Sequence, residues 1–186
     1  MTAPLKPVSY AKPILGFAAY SGTGKTTLLV KLIPLLKQRG LRIAMIKHAH
    51  HKFDVDKPGK DSYELRHAGA SPMLISSSRR IALMIDKPQE SEPDLQDLLG
   101  YINPEDIDLV LVEGFKQWPF PKIELHRPAL GKALIFPDDD NIIAIAHDLA
   151  DDAELAGKTD IPRLDINNVE QIVEFVLNYS NQQTPS

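Results

Sequence analysis

The sequence has no cysteine among its 186 residues, which excludes disulfide bonds and thiolate metal sites. That absence fits a reducing compartment, and a cytoplasmic location is expected. Also missing is any apolar run near the roughly 18 residues that suggest a bilayer span. Excess charge is small: 21 basic and 25 acidic residues leave a net charge of -4. Such a balance gives no general attraction to nucleic acid or to an anionic membrane, and neither is expected as a partner. Residues 1–13 hold three prolines and two lysines but no apolar stretch of the kind a secretory signal needs. Residues 1–12 are expected to form a flexible tail, and residues 181–186 another. No internal repeat or low-complexity segment stands out.

What is present suits a folded domain. Apolar residues make up 43% and charged residues 25%, and the length allows one domain, expected over 13–180. Residues 13–19 read as a buried strand entering a glycine-rich turn. Leu28, Leu29, Leu32, Leu35 and Leu36 recur at helical spacing, which predicts a helix over 25–39, closed by Gly40 and kinked at Pro34. A strand over 41–46 completes a β-α-β unit. The run "KHAHHKFDVDKPGK" reads as a polar loop before a helix at 61–68, where Asp61 and Glu64 have capping-box-like spacing. Short strands are expected on both sides of 77–79, where Ser76 to Ser78 read as a turn, and a short helix at 95–101. Further strands are "DLVLVEGF", "KIELH", "NIIAIAHD" and residues 164–166, followed by a helix over 169–179. Strands alternating with helices predict an α/β fold with a mainly parallel sheet flanked by helices.

The stretch "AAYSGTGKTTLL" carries the clearest chemistry. Ala19, Gly24, Lys25 and Thr26 fit the pattern A/G-x-x-x-x-G-K-S/T of a phosphate-binding P-loop. Such a loop rings a phosphate with backbone amides, at angles that glycine tolerates, and the helix that follows adds its positive end. Ser21, Gly22, Thr23, Gly24, Lys25, Thr26 and Thr27 are therefore the candidate nucleotide-binding residues. Lys25 would reach the outer phosphates, and the Thr26 hydroxyl would ligate Mg2+.

Ligands in open parallel sheets sit beyond the carboxyl ends of the strands. That rule selects Lys47 and His48, Glu113 and Gly114, His147 and Asp148. Glu113, after four apolar residues, is the candidate Walker B acid, a catalytic and metal-holding partner to Lys25 and Thr26. Asp148 could accept from both N1–H and N2–H2 of guanine, which favours GTP over ATP, or could be a loop-capping aspartate. His48, His50 and His51 lie among Lys47, Lys52, Lys57 and Lys60, with Asp54, Asp56 and Asp61 interleaved. The mixture suits anion or partner contact, with Lys47, His48, His50, His51, Lys57 and Lys60 as candidates. Histidine with carboxylate can also hold a transition metal, but the lysines oppose a cation. Asp61 either caps its helix or reaches Mg2+. No nucleophile–base pair for covalent chemistry stands out.

Together "AAYSGTGKTTLL", "IKHAHHKFDVDKPGKDSYELRHAGA" and "DLVLVEGFK" resemble the molybdopterin-guanine dinucleotide biosynthesis protein B family, MobB, over roughly residues 14–180. The middle run is the most specific of the three. The resemblance implies a P-loop GTP-binding domain over 13–180 with GTP and Mg2+ as cofactors, weak GTPase activity and a homodimeric assembly. It implies a role as accessory to a guanylyltransferase, protein A of the pathway, which joins GMP to a molybdopterin intermediate. Gly22 to Thr27 fall on the family's phosphate loop and Glu113 on its acid. Two other uses of the same loop remain open from the residues. One is a small-molecule or nucleotide kinase, and the other is a metal-delivery GTPase using the histidines.

Overall fold

The structure is a computed structural model that describes residues 5–49, 53–148 and 159–183. The chain divides into two compact units, one formed by Met1–His48 and Asp94–Ser186, the other by Ala49–Pro93.

The first unit is organised by β1 (Ile14–Ala19), β2 (Ile43–Lys47), β5 (Leu109–Glu113), β6 (Lys122–His126), β7 (Ile142–His147) and β8 (Arg163–Asp165). These make one six-stranded sheet in the order β2-β5-β1-β6-β7-β8, and every pairing is parallel. Parallel strands need crossovers and are covered on both faces, which is why they read as unbroken apolar runs. β5 shows the consequence. Leu109 and Leu111 face one core with Leu15, Phe17 and the helices α1 (Lys25–Gln38) and α4 (Val169–Gln183). Val110 and Val112 face the other, with Leu95 and Leu99 of α3 (Leu95–Leu99).

Helix α1 runs through Pro34 without interruption. The carbonyl that loses its amide donor is four residues back, on Val30, which is 66% exposed, so water can replace the missing bond. Helix α4 continues to Gln183, beyond the expected end at 179. Part of the expected amino-terminal tail is anchored. The Tyr10 hydroxyl donates to the Ile102 carbonyl at 2.6 Å, and the Ser9 amide donates to the Gln96 side chain at 2.9 Å.

β6 carries two charged residues that strand periodicity did not mark as special. Glu124 is fully buried and accepts from the amides of Ile135 and Phe136 at 2.8 and 2.9 Å, which ties down the connection to β7. Burial raises its pKa and those two amides oppose the rise. Lys122, also buried, donates to the Trp118 carbonyl at 2.7 Å and pairs with Asp139 at 3.0 Å.

The second unit holds α2 (Asp61–His67) and the antiparallel pair β3 (Met73–Ser76) and β4 (Ile81–Met84). The turn reading of Ser76 to Ser78 agrees with this hairpin, in which the Ser77 hydroxyl accepts from the amides of Arg79 and Arg80 at 3.3 and 3.0 Å. The capping expectation is corrected. Lys60, not Asp61, occupies the N-cap, and no side chain caps there. Glu64 instead reaches back to the Gly59 amide at 3.2 Å. Among the described residues no helix is long and apolar enough to cross a membrane.

Candidate functional site

Because every strand of the main sheet is parallel, all six carboxyl ends lie along one edge. The loop after β1 enters α1 there. Gly24 is the helix N-cap, at φ 94° and ψ 18°, a left-handed conformation that favours glycine. Thr23 is buried, and its hydroxyl donates to the Tyr20 carbonyl at 2.8 Å, which fixes the loop from within. Ser21, Gly22, Gly24, Thr26 and Thr27 stay exposed. The first turn of α1 contains no acidic residue. A helix N-terminus gains from negative charge, and here none of the first-turn residues supplies it.

Register then brings in the acid. Glu113 lies opposite Phe17 of β1 and Lys47 of β2. Its carboxylate sits 3.5 Å from the Lys25 ammonium and 3.6 Å from that of Lys47. Three expected residues from three separate elements thus meet at one point. Thr26 and Glu113 would supply hard oxygen ligands to Mg2+, which in nucleotide sites takes one or two protein oxygens and completes its shell with phosphate and water. The donor set fits that ion. Among the described residues no group of three His, Asp or Glu side chains converges as a metal cage.

Beyond Glu113 the chain turns sharply. The His48 amide donates to the Glu113 carbonyl at 2.9 Å, and its ring packs 5.0 Å from Phe115. His48 is therefore fitted into the wall of the site as well as being a candidate contact.

Arg127 was missed by the sequence reading, although it follows β6 at the same edge. Its Nε donates to the Thr23 carbonyl at 3.1 Å. Its two other nitrogens reach Asp148 at 3.4 Å and the Asn167 side-chain oxygen at 3.2 Å. One guanidinium thus connects the phosphate loop with the ends of β7 and β8. Beside it lies a cleft of about 420 Å³ lined by Gly22, Gly24, Thr27, Arg127, Ile166 and Asn167 among others. The sequence signal was available: the strand-end rule that selected Glu113 and Asp148 applies equally to the residue after "KIELH".

The remaining candidates fall in the second unit. Lys57, Lys60 and Asp61 lie at and before α2, whereas His50 and His51 lie outside the described residues. Asp54 and Asp56, considered as partners for histidine, are engaged otherwise. Both accept from Arg66, at 2.8 and 2.9 Å, and Asp86 accepts from it at 3.1 Å. The Arg66 hydrogen bond lowers the pKa of Asp56 against the opposing effect of burial. These carboxylates hold α2 to its own unit.

Comparison with known proteins agrees with the resemblance. A family model described as Molybdopterin guanine dinucleotide synthesis protein B, MobB, matches residues 14–148. The chain is 48% identical over 174 residues to the molybdopterin-guanine dinucleotide biosynthesis adapter protein of Escherichia coli strain K12, covering 92% of this chain and 95% of that one. With the adapter protein of Haemophilus influenzae the identity is 44% over 168 residues, covering 90% and 89%. A crystal structure of molybdopterin-guanine biosynthesis protein B matches with a TM-score of 0.66 at 27% identity, covering 89% of this chain and 98% of that one. The matched span contains the phosphate loop, Glu113, Arg127 and Asp148, and on these grounds the chain belongs to the MobB family of molybdopterin-guanine dinucleotide synthesis proteins.

Proposed function

We propose that this protein binds GTP with Mg2+ at the loop of residues 21–27 and serves as an adapter in molybdopterin-guanine dinucleotide synthesis. It would present nucleotide, or a molybdopterin intermediate, to a guanylyltransferase partner. The observation that carries the proposal is the junction of β1 and α1. A glycine-capped helix start stands open, and Lys25 lies 3.5 Å from Glu113 across the strand edge. The names of its relatives, adapter proteins of this synthesis, support the biological half.

The chemistry follows from charge. Loop amides and Lys25 hold the phosphates, and Thr26 and Glu113 hold the ion. Bound Mg2+ would neutralise charge on the outer phosphates. The groups gathered at the loop are lysines, hydroxyls and a carboxylate engaged by two lysines. These groups would bind and orient phosphate by charge, and slow hydrolysis is the expected outcome. Asp148 and Arg127 stand at the strand ends where a base would lie, next to the cleft. A homodimer is the assembly the family resemblance supports, and sedimentation would measure it.

Calorimetric titration with GTP and with ATP, each with Mg2+, followed by turnover on the same sample, tests the reading. Selective GTP binding is expected, with turnover far below the roughly 1–100 per second of kinases. Preference for ATP, or rapid transfer to a small acceptor, would favour a kinase instead.

A further inference from the structure

The turn after β5 holds an unusual backbone. Gly114 has φ 91°, and a Cβ there would stand 2.6 Å from the Cβ of His48. The next residue, Phe115, has φ 52°, a left-handed conformation that a residue with a bulky side chain rarely adopts. Such backbone persists only where its surroundings enforce it, and it gathers at functional sites. Here the enforcement is visible. The Phe115 ring is buried, tilted 5.0 Å from His48 and edge-on to Trp118 at 6.2 Å.

What the turn achieves is the placement of Lys116. Its ammonium lies 4.8 Å from the centre of the Tyr20 ring. Tyr20 opens the phosphate loop, and its carbonyl accepts the Thr23 hydroxyl that fixes the loop. Lys116 is exposed and so open to a ligand. Partial loss of hydration at the amine, then the charge of Lys25, push its pKa down, and Glu124 opposes them. Among the described residues Lys116 makes no ion pair. Glu124, the carboxylate whose charge acts on it, is committed to two backbone amides. Two ammoniums that repel one another beside the phosphate loop are reconciled by a multiply charged anion between them.

We propose that Lys116 binds the terminal phosphate of the nucleoside triphosphate, so that the site distinguishes triphosphate from diphosphate. The inference rests on the nucleotide reading above and adds a specificity-determining residue to it. Lys25 belongs to the loop and meets every phosphate ligand. Lys116 approaches from the β5 turn and meets the outermost group alone.

The test is calorimetry of the full chain with GppNHp and with GDP, both with Mg2+, on wild type, Lys116→Gln, Lys116→Arg and Lys25→Ala. Lys116→Gln should weaken GppNHp binding by about tenfold or more and GDP binding by less than about twofold. Lys116→Arg keeps the charge and should restore most of the difference. Equal losses for both nucleotides would overturn the inference. So would no loss at all in a chain that binds GppNHp and loses it with Lys25→Ala, and in that case the phosphate loop itself would stand. A wild type that fails to bind GppNHp, or a Lys25→Ala chain that binds it unchanged, would overturn the loop reading and this inference together.

Discussion

Glu113 shows how a strand end becomes a site. Register with β2 sets Lys47 beside it at 3.6 Å, and the phosphate loop that leads from β1 into α1 brings the Lys25 ammonium to 3.5 Å. Arg127 works in the same way at the other side of the loop, where its contacts with Thr23, Asp148 and Asn167 join three strand ends. Asp148 is the residue whose identity can be tested against a base. If its carboxylate accepts from guanine, Asp148→Asn should shift preference from GTP toward xanthosine triphosphate by about tenfold or more, measured by competition binding. An unchanged ratio would assign guanine recognition elsewhere, with Asn167, which lines the cleft, the next residue to test.

Among the elements, α3 is short and depends on its cap. The Asp94 carboxylate accepts from the amides of Gln96 and Asp97 at 2.7 and 3.2 Å, and Leu95 and Leu99 are fully buried below it. Asp94→Ala should cost about 1 kcal/mol, lowering the melting temperature by about 2–4 °C in a chain of this size. Nucleotide binding should be unaffected. A loss too small to measure by thermal melting would mean that the two leucines hold the helix unaided. Elements of this kind were legible in the sequence because their signals are local. The run Leu109 to Val112 announced a strand buried on both faces, and the lysine and glycine spacing announced the phosphate loop. Long-range partners were not legible. The two aspartates before α2 looked available for a metal until Arg66, ten and twelve residues on, proved to hold them. Lys122 and Glu124 looked like ordinary strand residues, since nothing in "KIELH" tells that both will be buried with partners from the β6–β7 connection. The left-handed Phe115 was hidden for a similar reason: its conformation is imposed by packing against His48 and Trp118.

Across the whole main sheet, the two ends of β5 divide the work. At the carboxyl end Glu113 pairs with Lys25 and Lys47. At the start, Asp108 accepts from the Arg42 amide at 2.8 Å and from its side chain at 2.7 and 3.0 Å, which locks the entry to β2. The Arg42 side chain first, and its amide second, hold the Asp108 carboxyl down at about 2 against an ordinary value of 3.8. The fold therefore gains from this contact fully above the ordinary value and loses the gain as pH falls through about 2. Asp108→Asn should lower the melting temperature slightly near about pH 7, because both partners are partly exposed. The gap from wild type should narrow as pH falls from about 4 toward about 2. A gap independent of pH would mean that Asp108 acts through shape alone. Nucleotide affinity should not follow this change, since the contact lies at the opposite edge of the sheet from the phosphate loop.

Every proposed role of the site depends on the loop holding a nucleoside triphosphate through Lys25. The most direct measurement is calorimetric titration of wild type and Lys25→Ala with Mg2+ and GTP, with melting curves of both. We expect saturable binding by wild type, a loss of about a hundredfold or more in the variant, and closely similar melting curves without nucleotide. Equal binding by the two folded chains would contradict the account and remove the phosphate loop from it.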